Sequence, residues 1–285
     1  MRFMSLDRRF LWLVFGLILL AAVVFPVKLP PLDVAPSVRS FYSAIDTLPE
    51  NSAIVLSIDF LPSFKPELEP MADAVCRHAF RKNIKIIAFS LYDGATGLAQ
   101  EILRKNAVLC GKEYGVDYAY LGWQPNDRAM ILGLGSGFSG VFPRDFYGTP
   151  LAALPLFANI RSLYDIPLVV QIGAGFSDFP VWLGYGTDKT GGKMIIGCNG
   201  GAEPALRPYY GTGQIAGLVA STKGAAEYEQ LLGIYGGATR CFNASGLVQF
   251  ILGFLLIAAN LVFWRSRGWK LGFGKKSSGD INVLK

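Results

Sequence analysis

Few residues in this chain could do acid–base or cation chemistry. Asp59 closes one apolar run (SIDF), Asp93 follows a second (SLYDGATG) and Asp178 follows a third (QIGAGFSD). Carboxylates just past the ends of parallel strands gather at one edge of a sheet, where they can exchange protons or hold a cation. Asp59 is the hardest to dismiss, because a carboxylate at the end of an apolar strand costs desolvation unless it is partnered. Asp93 and Asp178 also fit ordinary caps and turns, in which a side-chain oxygen satisfies orphan backbone N–H groups. His78 is the sole histidine, so a Ser-His-Asp or Cys-His device would have to use it. Its place inside a helical pattern, beside Arg77, predicts packing or solvent contact instead. No GxSxG elbow supplies a nucleophile.

A second motif is formal only. Gly135-Ser-Gly137-Phe-Ser-Gly140 matches GxGxxG, but Pro143 falls where the next helix should be completing its first turns. No helix N-terminus is then set beneath a pyrophosphate, and no cofactor is expected. The glycines alternate with Phe138, Phe142, Phe146 and Tyr147, so residues 135–150 read as an aromatic loop for contact with a partner.

The elements that would position these residues follow from periodicity. Residues 53–60, 84–91, 116–123, 166–172 and 193–197 are short, nearly continuous apolar runs, the pattern of strands buried on both faces. Residues 129–134 read as a further strand. Helical patterns cover 66–82, 95–114 and 151–164, with one or two small-residue helices within 211–235. Strands alternating with helices predict an α/β domain with a mostly parallel sheet, Rossmann-like and covered by helices. Cys76, Cys110, Cys198 and Cys241 all fall in this part, and an even number permits disulfides; at least one is expected.

Two charge-free apolar segments flank the domain, at 10–27 and 246–264, each just long enough to span a bilayer core of about 30 Å. The first exceeds a usual signal-peptide core and ends in Val-Val-Phe-Pro-Val instead of a small-x-small cleavage site, so it reads as a retained signal anchor. Arg2, Arg8 and Arg9 against Asp7 leave the first nine residues at +2, and the tail after Trp264 carries +5. Residues 28–245 hold 18 basic and 19 acidic groups, so the excess charge of +6 is confined to the tails. The positive-inside rule then predicts cytoplasmic tails at 1–9 and 265–285 and an extracytoplasmic domain at 49–245. Residues 28–48 read as a tether with a short helix at 41–48. A near-neutral domain excludes a phosphate-backbone footprint, so nucleic-acid binding is not expected.

Gln249, Gly253 and Asn260 share one face of the second segment, a stripe that predicts helix–helix contact. Gly213 and Gly217 (GQIAGLVA) predict close helix packing, onto the sheet or at a subunit interface. With the bilayer and protein subunits as partners, the expectation is a non-catalytic scaffold, assembly or sensing subunit of an envelope complex, or a homo-oligomer. The alternative is a membrane-anchored enzyme or small-ligand domain using the carboxylates at the sheet edge.

Overall fold

The computed structural model describes residues 12–13, 15–17, 32–174 and 179–266. It resolves into two compact units: residues 26–243, and a second formed by 1–25 with 244–285.

The larger unit is built on six parallel strands, β1 (Ala53–Asp59), β2 (Lys85–Ser90), β3 (Tyr118–Trp123), β4 (Leu168–Gly173), β5 (Lys193–Cys198) and β6 (Gly217–Ala220). Their order is β3-β2-β1-β4-β5-β6, the doubly wound arrangement whose direction of winding reverses between β1 and β4. Every residue of β1 is buried, because alternate side chains enter two different cores. Ile54, Leu56 and Ile58 join the helices α1 (Pro36–Asp46), α2 (Lys65–Arg81) and α3 (Thr96–Leu109) on one face. Ala53 and Val55 meet α4 (Asp127–Ser136) and α5 (Glu203–Gly211) on the other. The helix α6 (Ser221–Leu231) completes the first face, and α7 (Gly237–Ser266) follows it.

Five of the six strands match the apolar runs. Three other expectations fail, each for a local reason. Residues 129–134 are helical, since Asn126 accepts a hydrogen bond from the Ala129 N–H at 3.2 Å and caps α4. Met130, Ile131 and Leu134 then fall on one buried helical face. Residues 151–164 form separate short 3-10 turns because Pro155 cannot continue a helix begun at Leu151. The short helix expected within 41–48 is present as α1, which begins at Pro36 and whose Val38, Phe41 and Ile45 are core residues. Finally, Gly217 starts β6 rather than lying in a helix. A Cβ there would stand 2.4 Å from the Phe41 Cα, so the glycine admits α1 directly onto the strand. Gly213, with φ of 80°, lies in the turn between α5 and β6 with open space around it.

Among the described residues one helix, Gly237–Trp264, is long and apolar enough to cross a membrane. Its large side chains, including Phe250, Phe254 and Leu256, are exposed. Of the first apolar segment, only residues 12–13 and 15–17 are described, and they are helical; the rest lies outside the described residues, as does the tail from 267.

Candidate functional site

In a doubly wound sheet the crevice lies beyond the carboxyl ends of the two strands at the reversal, here β1 and β4. Asp59 stands opposite Gly173 at this point, and two residues deeper Ser57 lies between Phe89 and Gln171. Ser57, Asp59 and Gln171 are all buried. The Ser57 hydroxyl donates to Asp59 Oδ2 at 2.6 Å, and the Gln171 amide donates to the same oxygen at 3.3 Å. The Leu91 backbone N–H donates to Oδ1 at 2.7 Å, tying the end of β2 to the end of β1. The carboxylate that sequence alone singles out therefore has partners within the fold, as a buried charge requires. Ser57 and Gln171 are the functional-looking residues that sequence reasoning missed. Their signal was available: each is a polar residue breaking an apolar run, two positions before its strand ends.

Other candidates do not join Asp59. Asp93 is exposed and opens a 3-10 turn, where the Thr96 hydroxyl donates to its backbone carbonyl at 2.7 Å. Asp178 lies outside the described residues. The loop after β1 runs Phe60-Leu61-Pro62-Ser63-Phe64 without a glycine, so it lacks a phosphate-cradling turn. The GxGxxG match falls at the end of α4 and in the four-residue turn Phe138–Val141, not between a strand and a helix. Phe138 and Phe142 are fully buried against the second core, which removes them as contact residues. They turn inward because α4 is followed by a tight reversal: Gly133 lies so near Val141 that a Cβ would come within 2.6 Å. Phe146 and Tyr147 remain exposed.

His78 sits far down α2, away from the crevice, in a buried junction of three helices. Its Nδ1 lies 2.7 Å from the Tyr228 hydroxyl on α6, and its Nε2 lies 3.4 Å from Asp46 at the end of α1. The ring stacks on Tyr42 with centroids 4.6 Å apart. Burial lowers its pKa to about 4, overriding the pull of Asp46 in the opposite direction. Burial also raises the Tyr228 hydroxyl well above its ordinary value. This assigns the neutral tautomer: Nε2–H donates to Asp46 and Nδ1 accepts from Tyr228. The junction is a packing device with a satisfied histidine.

The four cysteines are free thiols: Cys76 and Cys198 are buried, Cys110 is half-buried and Cys241 exposed. Burial pushes the Cys198 thiol up to about 12 and the Cys76 thiol higher still. Among the described residues no group of three His, Cys, Asp or Glu side chains is placed to hold a metal ion.

A second polar cluster lies on α6 and was not foreseen. Glu229 is buried and its carboxylate accepts from the backbone N–H groups of Gly236, Ala238 and Thr239 at 3.2, 3.0 and 2.8 Å, and from the Thr239 hydroxyl at 2.6 Å. These are orphan donors at the start of α7, so a single side chain caps that helix. The neighbouring Gln230 makes a two-way bond with the backbone of Leu32, accepting from its N–H at 2.7 Å and donating to its carbonyl at 3.0 Å. Glu227, one turn earlier, accepts from the Ala35 N–H at 2.9 Å. One helix thus holds both the segment that leads into the domain and the segment that begins the apolar helix.

On that apolar helix, Gln249 and Asn260 are exposed, and Asn260 donates to the Leu256 carbonyl of its own helix at 2.8 Å. No protein-family model matches the chain, and neither the curated proteins nor the solved structures yield a match.

Proposed function

We propose that this protein is a non-catalytic, membrane-anchored scaffold, assembly or sensing subunit. The observation that carries the reading is the paired attachment on α6. Gln230 holds the incoming chain at Leu32 while Glu229 caps the outgoing helix at Gly236–Thr239. Adjacent side chains of one helix thereby gather both ends of the domain, as suits two membrane segments emerging side by side. In this reading residues 10–27 and 246–264 form an antiparallel hairpin in the bilayer, the tails at 1–9 and 265–285 are cytoplasmic, and the α/β domain lies outside the cytoplasm. Gln249, Gly253 and Asn260 face a neighbouring helix, where small and polar residues permit close approach. The carboxylate of Asp59 fits this reading, since Ser57, Gln171 and the Leu91 N–H engage it within the fold.

The test is the mass of the full chain purified in mild detergent, measured by light scattering. An oligomer or defined complex that dissociates on Asn260→Leu is expected; a monodisperse monomer would overturn the reading. One observation favours the alternative of a ligand-binding or catalytic crevice, namely the position of Asp59 at the reversal of the sheet. For that alternative, Asp59→Asn would abolish ligand binding while leaving the assembly intact.

A further inference from the structure

The domain is close to neutral, yet one cavity on its surface is cationic. It has a volume of about 500 Å³ and lies where the C-terminal ends of α2 and α3 meet. Phe80 and Leu109 form its apolar part, and Arg77, Arg81, Asn83 and Lys112 supply the polar lining. No carboxylate lines it, and among the described residues none of the three cations is ion-paired. Beyond Lys112 the Asp117 carboxylate accepts from the Glu113 N–H at 2.9 Å, and one turn before Arg77 the Asp73 carboxylate is taken up by Asn106 at 2.7 Å and Lys105 at 2.8 Å.

Cations at helix C-termini usually serve the helix, by bonding its last carbonyls and complementing its dipole. These do not. The terminal carbonyls are met by backbone donors: Lys82 N–H bonds His78 and Ala79, Ile84 N–H bonds Ala79, and Lys112 N–H bonds Ala107. The side chains are instead braced by uncharged groups. Arg77 Nε donates to Asn106 Oδ1 at 2.9 Å, and Lys112 Nζ donates to Asn83 Oδ1 at 2.8 Å. One Arg81 nitrogen reaches the Leu232 carbonyl at 3.4 Å. Each brace fixes a charged head while leaving further N–H donors unspent. Against three positive charges, two helix ends contribute about half a negative charge each. The lining itself therefore carries a net positive charge.

We propose that this cavity binds a phosphate group. Its tetrahedral oxygens suit the forked donors of Arg77 and Arg81, with Lys112 as a third, point-like charge. Arg81 also touches Leu232, in the segment preceding α7, so an occupied site would lie beside the origin of the apolar helix. The phosphate can come from an anionic phospholipid headgroup or from a soluble phosphate. Leu109, a lining residue that is 65% exposed, and its neighbour in sequence Val108, 70% exposed, suit the lipid. The site stands independently of the scaffold reading.

The test uses the full chain in dodecyl maltoside, with its thermal midpoint followed under four additions. These are phosphatidylglycerol, phosphatidylcholine, sodium phosphate, and sodium chloride at matched ionic strength. Phosphatidylglycerol or phosphate should raise the midpoint beyond its control, and the Arg77→Gln/Arg81→Gln variant should bind roughly tenfold more weakly. A response to phosphatidylglycerol alone assigns a headgroup, and a response to sodium phosphate assigns a soluble anion. The inference fails if neither addition exceeds its control, or if the variant responds like the wild type. Should loss of the Arg77–Asn106 bond prevent folding, Lys112→Gln keeps the question open to measurement, since Lys112 lies in a loop. Lys112→Gln should weaken the response and Lys112→Arg should restore it; an unchanged response in Lys112→Gln overturns the site.

Discussion

Lowering the pH from about 7.5 to about 5 should cost the domain about 2 kcal/mol of stability through His78 alone. In the unfolded chain this imidazole titrates near its ordinary 6.5, whereas burial in the fold lowers it to about 4. The unfolded state therefore takes up the proton first. Stability contributed by the neutral ring is complete above pH 6.5 and is lost as the pH falls through the window down to 4. Fully expressed, the difference amounts to about 3 kcal/mol. Protonation would also have a specific local consequence. A proton on Nδ1 puts two donors face to face, the ring N–H and the Tyr228 hydroxyl 2.7 Å away, so that Tyr228 must turn its hydrogen elsewhere in a fully buried site.

Stopping near pH 5 keeps the measurement clean. Hydrogen bonds from His78 and Lys82 hold Asp46 below the usual carboxylate range despite the opposing effect of burial, so it stays ionised in this window. The assay is urea unfolding of the full chain in detergent, followed through Trp123 and Trp182, at both pH values, for wild type and His78→Gln. Glutamine can accept from Tyr228 without titrating. The wild type should lose about 2 kcal/mol more than the variant between the two pH values. Equal losses, or an imidazole titrating near 6.5 in the folded protein by NMR, would refute the assignment of a buried neutral histidine.

Other substitutions probe the remaining load-carrying contacts. Glu229→Ala leaves three N–H groups at the start of α7 without their acceptor and should cost roughly 2 kcal/mol by urea unfolding; a change below about 0.5 kcal/mol would remove the capping role. Gly217→Val forces a side chain into the Phe41 backbone and should destabilise by on the order of 3 kcal/mol. Gly213→Ala, in open space, should cost only about 1 kcal/mol, from its positive φ. Equal effects at the two glycines would argue against α1 lying directly on β6. With a thiol reagent at neutral pH, Cys241 should react promptly and Cys76 and Cys198 only on unfolding. A non-reducing gel showing an intramolecular crosslink would restore the disulfide expectation.

The sheet was legible in the sequence because its strands are buried on both faces, and five nearly continuous apolar runs of strand length have few other interpretations. What escaped was information carried by contact rather than by period. Short β6 pairs only through Gly217–Ala220, and its two small residues look like a helix-packing motif until Phe41 is seen lying against them. Phe138 and Phe142 look like a surface loop because glycines surround them, but the same glycines permit the reversal that buries them. Asp59 was found from its place in the pattern. Its partners, Ser57 and Gln171, follow only from the register that sets β1 beside β4.

The clamp on α6 shows the same dependence on tertiary contact, and it constrains how the domain could respond to a partner. Glu227, Tyr228, Glu229 and Gln230 are four consecutive residues with four different duties: Ala35, His78, the α7 N-terminus and Leu32. Any rotation of α6 that relieved one contact would strain the others, because i and i+1 side chains point about 100° apart around a helix. A signal reaching the incoming chain at Leu32 would therefore be felt at Gly236 through side chains one position apart. Substituting Gln230→Ala should test this directly: amide hydrogen exchange at Ala238 and Thr239 should accelerate although both amides donate to Glu229. Exchange rates unchanged at both positions, with faster exchange confined to Leu32, would mean that the two attachments are held independently.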